Sequence, residues 1–195
     1  MPALGSDFYA RPVLDVARDL IGCAVAVGPC SGVIVETEAY HDSEPACHAY
    51  VGLTPRTRTL FGPPGRAYVY RSYGIHALLN AVCEPEGVGA AVLIRALSPL
   101  AGRDVMAARR GASDPRALCS GPGKLTQALG VSLEHNESDL TAGPILITAR
   151  PEPVPVICDT RIGITKAAEL PWRFCLEGSR YLSVPVRSGR PVTPS

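Results

Sequence analysis

Apolar residues recur along the chain with two periods. At residues 12–21, Val13, Ala17, Leu20 and Ile21 share one face at helical spacing. Pro12 suits the first turn and Gly22 the stop, which predicts a helix. Residues 23–28 and 32–38 read as strands joined by a turn at Gly28-Pro29-Cys30-Ser31. Residues 42–52 suggest a short helix and loop, and the Pro- and Gly-bearing run from Gly52 to Gly65 reads as a loop. Strands are expected at 66–70, 75–83 and 90–97; the last, AAVLIRAL, is almost wholly apolar and should be central. Helices are expected at 99–110 and 122–129, with a loop at 112–118. Short strands near 145–149, 173–177 and 181–186 complete the pattern, and the polar segment 188–195 reads as a flexible C-terminal tail. Consecutive strands with segregated helices predict an α+β fold. The expected form is a single compact domain over residues 1–187, with a mostly antiparallel curved β-sheet core flanked by helices.

Composition narrows the class. The chain has 195 residues, 46% hydrophobic and 19% charged, enough for one domain with a sizeable core. There is no run of about 18 apolar residues, so a membrane span is not expected. The first residues, MPALGSDFYARP, lack the basic and apolar regions of a secretory signal. The seven cysteines are scattered and none forms C-x-x-C, so they read as small buried hydrophobes with reduced thiols, and the expected location is cytoplasmic.

The net charge of +1 hides an uneven distribution. Residues 1–44 carry two Arg and seven acids, whereas 45–133 carry nine Arg, one Lys and four acids. Between Glu44 and Glu84 there is no acid, while Arg56, Arg58, Arg66 and Arg71 all fall there. One basic face is the footprint of a phosphate or nucleic-acid partner, although a loop charge run gives the same count.

Three patterns could carry chemistry. In Gly32-Val-Ile-Val-Glu-Thr-Glu-Ala-Tyr40, Glu36 and Glu38 stand at i, i+2, on one face of a strand, with Thr37 on the other. Neighbouring carboxylates can split their pKa values and leave one as a base; a solvated pair on an exposed face shows the same spacing. Five of the seven tyrosines lie between Tyr40 and Tyr73. Tyr68 and Tyr70 share a strand face, and Tyr73 sits at the turn Arg71-Ser72-Tyr73-Gly74, where it should project outward. Aromatics among arginines suit base stacking, or ordinary packing at a sheet edge. Finally, Ser120-Gly121-Pro122-Gly123-Lys124 opens a helix, so it is either an anion site or a plain cap. It is no Walker A loop, because Leu118 stands where Gly is needed and Leu125 follows Lys124. His48 and His76 have no metal-binding pattern, and no metal or cofactor is expected.

Taken in order, these segments resemble the alkyladenine (3-methyladenine, methylpurine) DNA glycosylase family. VETEAY at 35–40, TPRTR at 54–58, AYVYRSYGIHALLN at 67–80, VLIRALSPL at 92–100 and LCSGPGKLTQAL at 118–129 carry the resemblance, with RIGI at 161–164 near the end. It covers residues 8–187. The resemblance implies that Glu38 is the general base for the attacking water and that Arg95 sits by that water. It implies that Tyr40 and Tyr70 sandwich the flipped base, that His48 completes the pocket and that Asn80 rejects guanine's exocyclic amino group. It makes Tyr73 the side chain that intercalates into DNA. Arg56, Arg58, Gly121, Gly123 and Lys124 are the expected backbone contacts. The segment between Tyr40 and His48 is one residue shorter than in the mammalian enzyme. The implied activity is monofunctional: damaged purines such as 3-methyladenine, hypoxanthine or ethenoadenine are flipped from double-stranded DNA and hydrolysed away by a monomer, leaving an abasic site. A non-catalytic binder of distorted DNA and a bifunctional glycosylase/lyase are the alternatives.

Overall fold

In the computed structural model, which describes residues 1–187 and 190–192, the chain runs α1 (Ser6–Tyr9), α2 (Val13–Asp19), β1 (Ala24–Val27), β2 (Cys30–His41), β3 (Ala67–Ser72), β4 (His76–Val82) and β5 (Ala90–Ala101). There follow α3 (Arg103–Arg110), α4 (Pro115–Leu118), α5 (Pro122–Leu129), β6 (Ile145–Thr148), β7 (Val156–Asp159), β8 (Arg173–Leu176) and β9 (Arg190–Val192). Single 3-10 turns occupy His48–Val51, Arg58–Phe61 and Leu133–His135.

The strands form one open, curled sheet in the order β3-β4-β5-β2-β8-β7-β9, with β1 and β6 continuing from the first half of β2. Every pairing is antiparallel. The spine is the pair β2–β5, twelve residues each. The other edge of β2 is divided: Cys30–Val33 pair with β1, whereas Glu36–Glu38 pair with β8. Register shifts between Ile34 and Thr37 fall at that change of partner. A bulge bends a strand and re-aims its side chains, and this irregularity lies directly beside the carboxylate-bearing end of β2.

Helices cover the sheet from one side. Val16, Ala17 and Leu20 of the first long helix and its end pack on β2 and β5, and Leu125, Ala128 and Leu129 of α5 lie buried over β4 and β5. A second, smaller cluster of Cys47, Ala49, Leu60, Tyr68, Val82 and Ala91 lies apart from this core, with Tyr40 and Tyr70 packed against it. The α+β architecture and the mostly antiparallel, curved sheet are as the pattern predicts. Six cysteines are buried and all seven are unpaired thiols.

Some elements differ from expectation. The helix predicted from residue 99 begins at Arg103, because Ser98, Pro99 and Ala101 extend β5 along β2; strand pairing wins over the local helical pattern. Within the predicted loop 112–118, Asp114 caps a one-turn helix by accepting from the Arg116 amide, with Pro115 in its first turn. β7 begins immediately after three closely spaced prolines, which masked it. The segment predicted as a strand at 181–186 has no regular structure. Of the expected tail 188–195, Arg190–Val192 pair with β7 and the remainder lies outside the described residues.

Candidate active site

The i, i+2 pair on β2 does not face solvent. Glu36 and Glu38 are both fully buried, and Thr37 points the other way, donating its hydroxyl to the Ala17 carbonyl at 2.8 Å. Arg95 of β5 reaches both carboxylates, with Nε on Glu36 at 3.0 Å and an Nη on Glu38 at 3.2 Å. Glu38 also accepts the Tyr40 hydroxyl at 2.8 Å on the oxygen that Arg95 touches, and the Ile162 amide at 2.6 Å on the other. A carboxylate offers about four lone-pair positions, so these three donors leave room for one more. Burial pushes the Glu38 carboxyl above the usual carboxylate range; Arg95, the Ile162 amide and the Tyr40 hydroxyl pull against it.

In front of this pair opens a pocket of about 620 Å³. Tyr40, His48, Tyr70, Asn80 and Arg95 line it, as do Arg56, Tyr73, Gly121, Gly123 and Lys124. Glu38 does not line it and lies one hydrogen bond behind Tyr40 and Arg95. Arg58 is not brought to the pocket either: its guanidinium pairs with Glu137 at 3.4 Å.

The walls are aromatic and fixed. Tyr68 and Tyr70, two apart on β3, stack with centroids 5.2 Å apart, and the His48 ring meets Tyr70 edge-on at 4.7 Å. The His48 Nδ1 is 3.1 Å from the Tyr68 hydroxyl. Burial first, and Arg56 second, lower the His48 pKa below 6.5, so the ring is neutral at neutral pH. The Asn80 amide nitrogen donates to the Tyr68 carbonyl at 3.0 Å, which anchors its side chain to the neighbouring strand. Burial and the Glu38 carboxylate both raise the Tyr40 pKa, so its hydroxyl stays a donor.

At the rim, Tyr73 is 92% exposed on the tip of the β3–β4 hairpin. Tyr73 and Gly74 both have positive φ and the Ile75 amide donates to the Ser72 carbonyl, the geometry of a tight hairpin turn. A non-glycine residue at positive φ is uncommon, and here it holds a large ring out in solvent. Behind the hairpin, Gly121 adopts φ +152°, a conformation suited to glycine, as it enters α5. A Cβ at Gly123 would stand 2.8 Å from the His76 ring, so only glycine lets this helix start approach the hairpin so closely.

Sequence reasoning gave no role to the loop that carries Arg161 and Ile162. Arg161, almost fully buried, makes two hydrogen bonds to Glu44, at 2.6 and 3.0 Å, and lies 4.8 Å from the Tyr40 ring centroid. The RIGI string was visible, but nothing local marks its Arg as buried or its second amide as a donor to Glu38. Among the described residues no cluster of His, Cys, Asp and Glu could hold a metal ion, and no helix is long and apolar enough to cross a membrane.

The family model for methylpurine-DNA glycosylase matches residues 7–180. A protein of Nitrobacter winogradskyi provisionally named 3-methyladenine DNA glycosylase is 56% identical over 191 residues, covering 96% of this chain and 92% of its own length. Relatives with the same provisional name from Bradyrhizobium diazoefficiens and Agrobacterium fabrum are 57% and 50% identical, over 91% and 93% of this chain and 89% and 93% of their own lengths. A match over most of its length, to proteins of similar length, shows that the chain belongs to the methylpurine-DNA glycosylase family of DNA-repair hydrolases.

Proposed function

We propose that the enzyme is a monofunctional glycosylase that extrudes alkylated or deaminated purines from duplex DNA and hydrolyses their N-glycosidic bond with a water activated by Glu38. The observation that carries this reading is the buried Glu38 carboxylate, held by Arg95 behind an aromatic pocket and with capacity for one further hydrogen bond. A stacked base hides its glycosidic bond, so extrusion must come first and costs a few kcal/mol. Tyr73 fills the gap left in the duplex, while Arg56, Lys124 and the backbone at Gly121 and Gly123 hold the backbone phosphates. Arg58 joins them only at the periphery, beyond its pairing with Glu137.

The extruded base stacks between Tyr40 and Tyr70, each stack contributing about 1–3 kcal/mol. His48 completes the pocket, and Asn80 excludes a purine bearing the guanine amino group. As the C1′–N bond breaks, its electron pair leaves with the base and positive charge develops on the sugar. Glu38 stabilises that charge and takes a proton from the water whose oxygen bonds to C1′. Arg95 orients the carboxylate. A cationic base such as 3-methyladenine departs as a neutral molecule and needs no added proton; hypoxanthine and ethenoadenine are harder leaving groups. The chemistry requires neither metal nor cofactor, and the enzyme works as a monomer in the cytoplasm, at the nucleoid.

The test is base release from short duplexes carrying hypoxanthine or 3-methyladenine, followed by alkali, with and without EDTA. Alkali-dependent, EDTA-resistant cleavage is expected, with borohydride trapping no adduct. Glu38→Gln should keep lesion binding and lower the single-turnover rate by about a hundredfold or more. A wild-type protein that binds lesion duplex and releases no base is instead a binder of distorted DNA.

A further inference from the structure

Behind the Glu38–Arg95 pair, the Glu36 carboxylate gathers donors from three parts of the chain. Arg95 Nε and Arg173 Nε reach one of its oxygens at 3.0 and 2.9 Å. Ser183 supplies two more donors, its hydroxyl to that same oxygen at 2.7 Å and its backbone amide to the other at 2.6 Å. The Ser183 hydroxyl also accepts from Arg95, whose second terminal nitrogen lies 3.2 Å away. Each nitrogen of the Arg95 guanidinium therefore has its own acceptor: Glu36, Glu38 and Ser183.

Ser183 belongs to a stretch without helix or strand, beyond residue 180, where the family match ends. That stretch is fastened by polar groups on buried charges. The Val184 carbonyl accepts from Arg173, and the Arg187 amide donates to Asp159 at 2.9 Å. Arg173 is fully buried and Asp159 nearly so, and they also pair with each other at 3.5 Å. Irregular chain is fixed against the sheet here because its polar groups satisfy a row of charges that the sheet alone leaves incomplete.

We propose that Ser183 is a positioning residue for base excision: its hydroxyl, bonded to Glu36 and Arg95 together, holds the guanidinium in the plane that orients Glu38, so this C-terminal strap completes the site. The proposal rests on the reading of Glu38 as the base. Ser183 does not line the pocket, so its effect falls on the chemical step and not on lesion capture. Removing the hydroxyl takes one of three fixtures from Arg95 and one donor from Glu36, and lets the guanidinium turn. Small misplacements of reacting groups are costly, which sets the expected scale at about tenfold to a hundredfold in rate.

The experiment compares wild type, Ser183→Ala and Ser183→Thr, measuring lesion-duplex Kd, single-turnover excision and hydrogen exchange of the Arg95 Nε–H by NMR. Ser183→Ala should keep its Kd, excise more slowly by that factor and exchange the Arg95 proton faster. Ser183→Thr, which keeps the hydroxyl, should restore both rate and protection. The proposal is overturned if Ser183→Ala excises at the wild-type rate, if its Arg95 proton is as protected as in wild type, or if Ser183→Thr is as impaired as Ser183→Ala. A wild-type protein that excises no lesion overturns the functional reading itself, an outcome separable from an active wild type whose rate ignores Ser183.

Discussion

The Tyr40 hydroxyl donates to Glu38 Oε2 at 2.8 Å, two residues along the same strand and on the same face. One side chain thus serves as a pocket wall and as a donor to the buried carboxylate. A donor to the charged form lowers a carboxyl's pKa, so its loss raises it. Tyr40→Phe keeps the ring and removes the hydroxyl. The acid limb of its excision-against-pH profile should move to higher pH than in wild type, with lesion affinity changed little. An unmoved limb would show that the hydroxyl does not tune the Glu38 carboxyl.

At the hairpin tip, the exposed ring of Tyr73 has almost no role in the folded protein alone. Tyr73→Ala should leave the thermal midpoint unchanged and weaken lesion-duplex binding by about tenfold, as expected for one lost stacking contact of about 1–3 kcal/mol. Fluorescence anisotropy with labelled duplex measures this, and equal affinity for both proteins would remove Tyr73 from the DNA interface.

Lys124 stands at the start of α5 on the pocket rim. A cation that contacts a phosphate releases a counterion on binding. For Lys124→Ala the slope of log affinity against log salt should flatten by about one unit, with lesion preference retained. A parallel slope would place Lys124 off the backbone.

Arg161 and Glu44 form a buried bidentate pair, 0% and 6% exposed at their side chains. Removing one partner strands the other charge, at a cost of about 3–5 kcal/mol. Glu44→Ala should therefore lower stability to denaturant by this amount, and Glu44→Ala with Arg161→Met should recover much of it. Additive losses would show that the two charges do not depend on each other.

His48 carries a pH signature of its own. Burial and Arg56 depress its pKa below 6.5 in the folded chain. The folded state then binds the proton less readily than the unfolded one. The stability tied to neutral His48 is present in full above about 6.5 and is lost as pH falls from there towards the lower folded value. NMR titration of the His48 ring should show a midpoint below 6.5, with the denaturation midpoint dropping on acidification; a midpoint above 6.5 would reverse the sign.

The sequence shows some parts of this molecule and hides others for physical reasons. Alternation and apolar runs expose β2–β5, and Gly-Pro-Gly marks the start of α5, because these signals are local. The face shared by Glu36 and Glu38 follows from strand period alone. Their burial does not, since it depends on Arg95 and Arg173 arriving from strands 59 and 137 residues away in the chain. Ser183 is hidden for the same reason: a serine in an irregular segment acquires its meaning only from the charges it meets. The strand after Pro155 is masked by prolines that break local propensity, although pairing with β8 on one side and β9 on the other supplies what propensity lacks.

The close seat of Gly123 against His76 fixes how far the start of α5 stands from the β3–β4 hairpin. The Thr126 hydroxyl donates to the Ala77 carbonyl at 2.7 Å, so α5 is pinned to β4 as well as pressed onto the hairpin. The start of α5 and the hairpin tip that carries Tyr73 are therefore two jaws of one caliper. Under the proposed function these jaws take a phosphate and the gap in the duplex, and only a strand whose backbone and groove lie at the matching spacing engages both. On that reading, the width of a duplex is gauged before the chemistry of any base.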